Sequence, residues 1–238
     1  MKKIFILAFV AGIMSGCAEM QQVANQLPGI LDQTNGTIDV SGGLKEALNN
    51  GISKQVTKLT AVDGFYKNEM VKILLPEELQ KVDAGLRKIG LGKLADDGIK
   101  AINRTAEDAV KEATPIFIDA IKGMNFTDAK NILMGKENSA TTYLQNSTST
   151  ALYAKFNPVI RNSYTKVGAD KIWTNLITKY NAIPLVKKVN PDLTDYTTTK
   201  AMEGVFKMIA VEEKNIRTNL NSRTSDLLKK VFALQDKK

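Results

Sequence analysis

The helical period of apolar residues dominates the chain from about residue 44 to the C-terminus. Leu44, Leu48, Ile52, Val56 and Leu59 recur at intervals of three or four residues, which is the spacing of one face of an α-helix. The alternation of apolar and polar residues that is typical of β-strands is nearly absent. The pattern therefore predicts an all-α fold.

Helix breakers and capping residues divide this region into segments. Pro76 stands where a helix can begin, Pro158 and Gly168 mark breaks, and Thr127 and Ser222 are predicted N-caps. The predicted helices cover about residues 44–59, 76–89, 93–113, 115–124, 128–134, 140–156, 159–167, 169–181, 195–219 and 223–235. About ten helices with short connections predict a single compact multi-helix domain over residues 44–238.

The first 16 residues have a different pattern. Lys2 and Lys3 precede an apolar run over residues 4–14, and this run is shorter than the roughly 20 residues that a membrane-spanning helix needs. A positive start, a short apolar run and small residues at its end are typical of a secretory signal peptide. We therefore expect residues 1–16 to be a signal that is removed.

The end of this signal resembles a bacterial lipobox. Ser15 and Gly16 precede Cys17, the only cysteine of the chain, although Met14 replaces the usual leucine. The resemblance implies cleavage before Cys17 and a diacylglyceryl group on its sulfur, because acyl chains hold a protein at a membrane. Ala18 is not the aspartate that marks inner-membrane retention in many Gram-negative lipoproteins, so we expect the outer membrane, facing the periplasm. The alternative is a soluble exported protein with a chance cysteine.

The segment between the cysteine and the first predicted helix is interpreted as a tether. Residues 17–43 are polar, lack sustained periodicity and contain Pro-Gly, Asn-Gly and Gly-Gly pairs, which favour turns. We predict a flexible connection that separates the domain from the membrane. The Asn-Gly pair is also compatible with a small hairpin.

The residue types restrict the possible chemistry. The chain has no histidine and one cysteine, so it cannot form a Ser-His-Asp triad or a zinc site built on histidine and cysteine. No glycine-rich phosphate loop is present. We expect no metal and no cofactor. Any acid–base chemistry would depend on Asp, Glu, Lys or Tyr.

The charge of the chain is positive but dispersed. The net charge is +8, and loss of Lys2 and Lys3 with the signal leaves +6. A nucleic-acid-binding protein would need a clustered basic stripe, so we expect no nucleic-acid partner. The basic residues are interpreted as a solvated surface, with contact to anionic lipid headgroups as the alternative.

The most specific candidate site lies in the predicted helix over residues 195–219. At 100° per residue, Glu213 and Arg217 share the apolar face with Met202, Phe206 and others, and they are four residues apart, so they can pair. A charged pair that faces a core is costly unless it is fully hydrogen-bonded. Such a pair marks either a functional cleft or a structural contact that fixes how helices dock.

A second candidate lies in the "NRTAEDA" segment. Ile102 and Ala106 define a core face, Asn103 and Glu107 border it, and Arg104 points nearly opposite. Asn103 and Glu107 either complete a polar network with the first candidate pair or cap the edge of the core. Glu213 and Glu107 are thus the weak candidates for catalysis, and Asn103 and Arg217 are those for ligand binding.

Two carboxylates, Asp119 and Asp128, flank "IKGMNFT". They are compatible with a cation site or an acid–base pair, but Asp119 falls on a solvent-facing side and Asp128 in a helical first turn, where its charge suits the helix dipole. Trp173 and Ile177 form a helical stripe that is typical of a core.

Several stretches resemble, in order, the bacterial family of unknown function numbered 4197. They are "GLKEALNNGISKQVTKLTAVDGFYKN", "KILLPEEL", "NRTAEDAVKEATPIFIDAIKGMNFTDAKNILMGKENSATTYL", "YNAIPLVKKVNPDL" and "AVEEKNIRTNLNSRTSDLLKKVF". The resemblance covers about residues 43–232. It implies an exported or lipid-anchored protein with an all-helical fold, and it implies no activity and no catalytic residues.

These observations lead to three functional hypotheses. The first is a lipid-anchored, non-enzymatic binding or scaffold domain in the bacterial envelope, whose partners are the membrane through Cys17 and an envelope protein or lipid. The second is a hydrolase of envelope glycans or lipids that uses carboxylates near Glu107 and Glu213. The third is a carrier of an apolar ligand. A sealed charged pair favours the first, a solvated cleft the second, and a closed apolar cavity of several hundred Å3 the third.

Overall fold

The computed structural model of the protein describes residues 38–88, 90, 92–166, 169–182, 184–185, 187–190 and 192–236. The helices in these ranges are α1 (Val40–Thr60), α2 (Glu77–Lys88), α3 (Gly92–Val110), α4 (Ala113–Gly123), α5 (Phe126–Leu133), α6 (Ser139–Lys166), α7 (Ala169–Asn181), α8 (Thr194–Thr218) and α9 (Asp226–Phe232). A 3-10 turn, Leu220–Ser222, precedes α9. The predicted all-α class is confirmed, and the predicted number of helices is close to the observed one. Within these ranges, no helix combines the length and the hydropathy that crossing a bilayer requires.

The long helices α6 and α8 form the centre of the domain. They run in opposite directions, since Glu213 near the end of α8 contacts the start of α6, whereas Asp195 at the start of α8 contacts Tyr153. Helix α3 packs against both, and α1 packs along α8 while also touching α4, α5 and α9. Helices α2 and α7 lie at the periphery, against α3 and α6.

The core is built from the apolar faces that the periodicity predicts. Ile102, Ala106 and Ala109 of α3 are fully buried, and the small alanines allow close approach of the neighbouring helices. The segment over residues 61–75, between α1 and α2, also contributes to the core, through Phe65 and Ile73. The helices and this connecting segment therefore share one core.

Helix α1 begins earlier than the sequence indicated. Asp39 is its N-cap and accepts a hydrogen bond from the backbone N–H of Gly42, so residues 40–43, assigned above to the tether, form the first turn. The N-cap hydrogen bond of Asp39 and the burial of Val40 explain the earlier start. The predicted signal peptide, Cys17 and the rest of the predicted tether lie outside the described residues.

Pro158 does not break the helix that contains it. The sequence predicted two helices, over 140–156 and 159–167, but α6 is continuous across Pro158. A proline inside a helix removes one hydrogen bond and costs about 3 kcal/mol. Leu152, Phe156, Ile160 and Tyr164 are all buried and continue one stripe across the proline, so burial of this stripe outweighs the loss.

The capping residues of the two short helices also differ from the prediction. Asn125, not Thr127, caps α5, and it forms a capping box with Asp128. Ser225, not Ser222, caps α9, because the 3-10 turn occupies the residues before it. In both cases the chain offers several capping side chains in succession, and backbone geometry selects among them.

The two candidate caps of α5 can be separated by mutation. We expect Asn125→Ala to lower the free energy of unfolding by about 1 kcal/mol, since it removes the side chain that accepts the N–H of Asp128. Thr127→Ala is the matched control and should change stability little, because Thr127 is exposed inside the helix. Urea unfolding measures both, and a larger loss for Thr127→Ala would contradict the assignment.

Candidate functional site

Glu213 lies near the C-terminal end of α8 and caps the N-terminus of α6. Its Oε1 accepts the backbone N–H of Ala140 at 2.9 Å, and its Oε2 accepts the backbone N–H and the hydroxyl of Thr141, both at 2.8 Å. The first N–H groups of a helix have no partner within the helix, and their positive end favours a carboxylate. Glu213 therefore provides, from another helix, the acceptor oxygens that an N-cap side chain normally provides.

Arg217, one turn further along α8, caps the C-terminus of α5. Its guanidinium donates to the carbonyl oxygens of Ile132 at 2.7 Å and Leu133 at 3.1 Å, and to the side chain of Gln235 at 2.7 Å. The last carbonyl groups of a helix are unpaired and carry partial negative charge, so a cation stabilises them. Arg217 thus attaches both α5 and the C-terminal tail to α8.

The two side chains also bind each other, as the sequence predicted. Arg217 Nε and Nη2 donate to Glu213 Oε1 at 3.0 and 2.9 Å. The side chains are 3% and 6% exposed, so the pair is sealed from solvent. We call Glu213, Arg217 and their backbone partners the helix-end clamp.

The space beside the helix-end clamp is small. A cavity of about 30 Å3 lies between α1, α8 and α9, and Glu213 and Arg217 line it together with apolar residues such as Leu48 and Phe232. A space of this size holds roughly two water molecules. With both oxygens of Glu213 engaged, the cavity has no room for a substrate at this carboxylate.

Glu212, the neighbour of Glu213, joins α8 to α1. It accepts hydrogen bonds from Lys54 Nζ and from Gln55 Nε2, both at 2.6 Å, and is 5% exposed. At 100° per residue, Glu212 lies near the edge of the apolar stripe of α8. The structure shows that adjacent glutamates bind different helices, so that α8 holds α1 with one carboxylate and α6 with the next.

Asn103 forms a separate contact on α3. Its side-chain oxygen accepts the N–H of Ile73 at 2.8 Å, and its Nδ2 donates to the carbonyl of Ile73 at 2.9 Å and to that of Ile99 at 2.8 Å. It is fully buried. The amide thereby pairs with both backbone groups of one residue in the 61–75 segment, as a neighbouring β-strand would.

Glu107, one turn after Asn103, holds the same segment. Its carboxylate accepts the N–H of Phe65 at 3.1 Å and a hydrogen bond from Arg104 at 3.1 Å, and Arg104 also donates to Asp63 at 2.8 Å. Gly204 of α8 permits the close packing of Phe65, because a Cβ there would lie 2.7 Å from its ring. We call Asn103, Glu107 and Arg104 with their partners the loop clamp.

The two candidate pairs therefore do not form the single network that was one of the two expectations. Within the described chain, the hydrogen bonds of Asn103 and Glu107 lead to the 61–75 segment, whereas those of Glu213 and Arg217 lead to α5, α6 and the C-terminal tail. Each carboxylate is engaged by backbone N–H groups. Among the described residues, no group of three or more His, Cys, Asp or Glu side chains is placed to hold a metal ion.

The other sequence-based candidates have ordinary positions. Asp119 is exposed, and Asp128 accepts the N–H of Asn125 in the capping box. Leu220 would continue the apolar face of α8 at helical spacing, but it is 65% exposed because α8 ends at Thr218. Ile177 is fully buried, in agreement with a core role.

Arg223 is a buried charge that sequence reasoning missed. It donates to the carbonyl oxygens of Ile216 at 3.0 Å and Arg217 at 2.9 Å, and it pairs with Asp236. Its side chain is 1% exposed, and it closes the end of α8. Arg223 lies in a polar stretch, so no apolar periodicity marks it as buried. Two of its partners are backbone carbonyls, which the sequence does not distinguish from others.

The comparisons with known proteins give a family without an assigned activity. A family model described as "Protein of unknown function (DUF4197)" matches residues 34–233, which confirms the resemblance seen in the sequence. Searches of curated proteins and of solved structures each gave no match.

The helix-end clamp predicts a large effect of one conservative substitution. Glu213→Gln should lower the free energy of unfolding by about 3–5 kcal/mol, because it leaves the Arg217 cation buried without its counter-ion. An amide nitrogen also cannot accept the N–H groups of α6. Urea unfolding followed by circular dichroism measures the difference.

Glu203→Gln on the same helix is the matched control for this prediction. Glu203 is exposed and pairs with Lys200 at the surface, so its change should cost little. Lys207, an exposed charge on the same helix, is less suitable as a control since it donates to the carbonyl of Met70. Equal stability of the two glutamine variants would contradict the structural role of Glu213.

The loop clamp predicts a pH-dependent effect at Asp63. The hydrogen bond from Lys67 and the charge of Arg104 hold the pKa of Asp63 below its ordinary value. A carboxylate with a lowered pKa contributes stability that is present above its ordinary pKa and is lost as the pH falls through the lowered one. Asp63→Asn should therefore reduce the melting temperature slightly at pH 7.

The same Asp63→Asn difference should vanish under acidic conditions, once Asp63 of the wild type is protonated. Asparagine also tolerates the positive φ of 65° at this position, so that the comparison isolates the charge. Thermal unfolding between pH 7 and pH 2 tests this, and a difference that persists or grows at the acidic end would contradict the assignment.

Proposed function

Because the chain belongs to the DUF4197 family, which carries no assigned activity, we propose its function from its own residues: a lipid-anchored, non-enzymatic binding or scaffold domain of the bacterial envelope. The anchor is the acylated Cys17, and residues 18–39 connect it to α1. The domain faces the periplasm from the outer membrane. Its partners are the membrane and an envelope component.

The observation that carries the non-enzymatic part of this proposal is the sealed state of the helix-end clamp. A catalytic carboxylate has to reach a proton of its substrate within hydrogen-bond distance. Glu213 is buried, with both oxygens bound to protein groups, and Glu107 is buried and bound to Phe65 and Arg104. Both glutamates are thus committed to holding the fold.

The same geometry gives little support to an apolar carrier. The cavity at the helix-end clamp, at about 30 Å3, is far below the several hundred Å3 that enclose a small-molecule ligand. The described core is instead filled by interlocking side chains from α1, α3, α6 and α8. A packed helical domain that a lipid holds at the membrane can bind a partner through its outer surface.

The anchor and the binding role can be tested together. We expect Cys17→Ser to abolish incorporation of labelled palmitate and to move the protein from the membrane to the soluble fraction, since no thiol remains to be acylated. Cross-linking in intact cells should capture envelope components with the wild-type protein, and those at the membrane should be lost with the variant.

Ser15→Ala is the matched control, because a small residue before Gly16 and Cys17 is kept and labelling should continue. Palmitate incorporation into Cys17→Ser, or unchanged membrane retention without the label, would overturn the anchor. Turnover of an envelope glycan or lipid by purified wild type, lost in a folded Glu107→Gln variant, would overturn the non-enzymatic role.

A further inference from the structure

A second cavity, separate from both clamps, lies between the C-terminal half of α6, the start of α7 and the start of α8. Its volume is about 260 Å3. The polar side chains around it include Arg161, Thr165, Asp170, Thr174 and Asp192, and Trp173 forms part of its wall. It is therefore a polar space of small-molecule size.

Trp173 has an unpaired polar group in this region. The indole is 4% exposed, and its Nε1–H has no acceptor within the described part of the chain. Its ring packs tightly on α3, where a Cβ at Gly98 would lie 2.3 Å from Trp173 Cζ2, so the ring is fixed in place. Buried N–H groups are almost always paired, and this one lacks an acceptor oxygen.

The charged groups around the cavity also have bonding capacity left. Arg161 Nη2 is 4.0 Å from Asp192 Oδ2, beyond hydrogen-bond distance, and both side chains are more than half exposed. The Oδ1 of Asp192 accepts the N–H of Thr194, and the Oδ1 of Asp170 accepts the N–H of Lys171. An ionised carboxylate offers about four acceptor positions, so each aspartate can still accept from a ligand beside these contacts and beside the side-chain hydrogen bond from Thr194 to Asp192.

The chemistry of these groups restricts the ligand. Arg161 requires acceptors, whereas Asp170 and Asp192 require donors. A phosphate or carboxylate offers acceptors but meets two carboxylates and one guanidinium, and an ammonium ion offers donors alone. A hydroxyl group both donates and accepts, so it matches both kinds of side chain. The cavity is slightly smaller than those that hold drug-sized molecules, so the ligand is small.

We propose that this cavity binds a neutral polyhydroxylated ligand of the size of one sugar ring. Its hydroxyl groups donate to Asp170 and Asp192 and accept from Arg161, while Trp173 forms the apolar wall. The proposal gives a ligand class to the binding role proposed above. It depends on the proposed function in one respect, since it assumes binding without turnover. It does not depend on the lipid anchor.

Trp173 is the only tryptophan in the chain, so its fluorescence reports on this cavity. The purified protein is titrated separately with glucose, galactose and N-acetylglucosamine, and calorimetry is run in parallel. At least one sugar should give a saturable fluorescence change with a matching heat. Asp170→Asn should weaken that binding about tenfold, because it replaces a charged acceptor by a neutral amide.

Asp226→Asn is the matched control, since Asp226 is also an aspartate in the first turn of a helix but lies on α9. It should bind the sugar as the wild type does, and circular dichroism melting establishes that both variants are folded. Absence of a saturable response to all three sugars would overturn the proposal.

Two further results would also overturn it. The first is equal affinity of Asp170→Asn and the wild type for the sugar. The second is a response to inorganic phosphate or putrescine and to none of the sugars, which would show an ion site. Palmitate labelling of Cys17 is independent of all these results, so failure of the sugar site leaves the anchor proposal standing, and the reverse also holds.

Discussion

The buried pair of Glu213 and Arg217 is the interaction on which the arrangement of the helices depends. Its two charges satisfy each other and, at the same time, the free backbone groups at the start of α6 and at the end of α5. Replacing a buried ion pair by apolar residues is often neutral or stabilising. Here such a replacement would also remove the partners of the Ala140 and Thr141 N–H groups and of the Leu133 carbonyl, and each buried group left unpaired is costly. The carbonyl of Ile132 would keep the N–H of Gly135.

The same solution recurs at other buried positions. Arg223 closes the end of α8, Asn103 pairs with the backbone of Ile73, and Glu107 accepts the N–H of Phe65. In each case a polar side chain on one element completes the hydrogen bonding of the backbone on another. The domain thus uses its buried polar residues to fix where helices end and how the connection over residues 61–75 packs.

The sequence predicted the fold class, most helices and the pairing of Glu213 with Arg217, because all of these follow from helical periodicity. It could not show that Ala140 and Ile132 are the partners of this pair, since backbone groups look alike at every position. The same limit applies to Arg223. The error at Pro158 has another cause: local propensity indicates a break there, and burial of residues such as Phe156 and Ile160 on both sides overrides it.

A double-mutant cycle on Glu213 and Arg217 tests this account most directly. The free energies of unfolding of Glu213→Gln, Arg217→Gln and the double variant are compared with that of the wild type. Each single variant leaves one buried charge or cap unpaired, so the double variant should lose less stability than the two single losses added together, by at least about 1.5 kcal/mol. Strictly additive losses would show that the pair is not coupled and would contradict its role as the contact that holds the helix ends together.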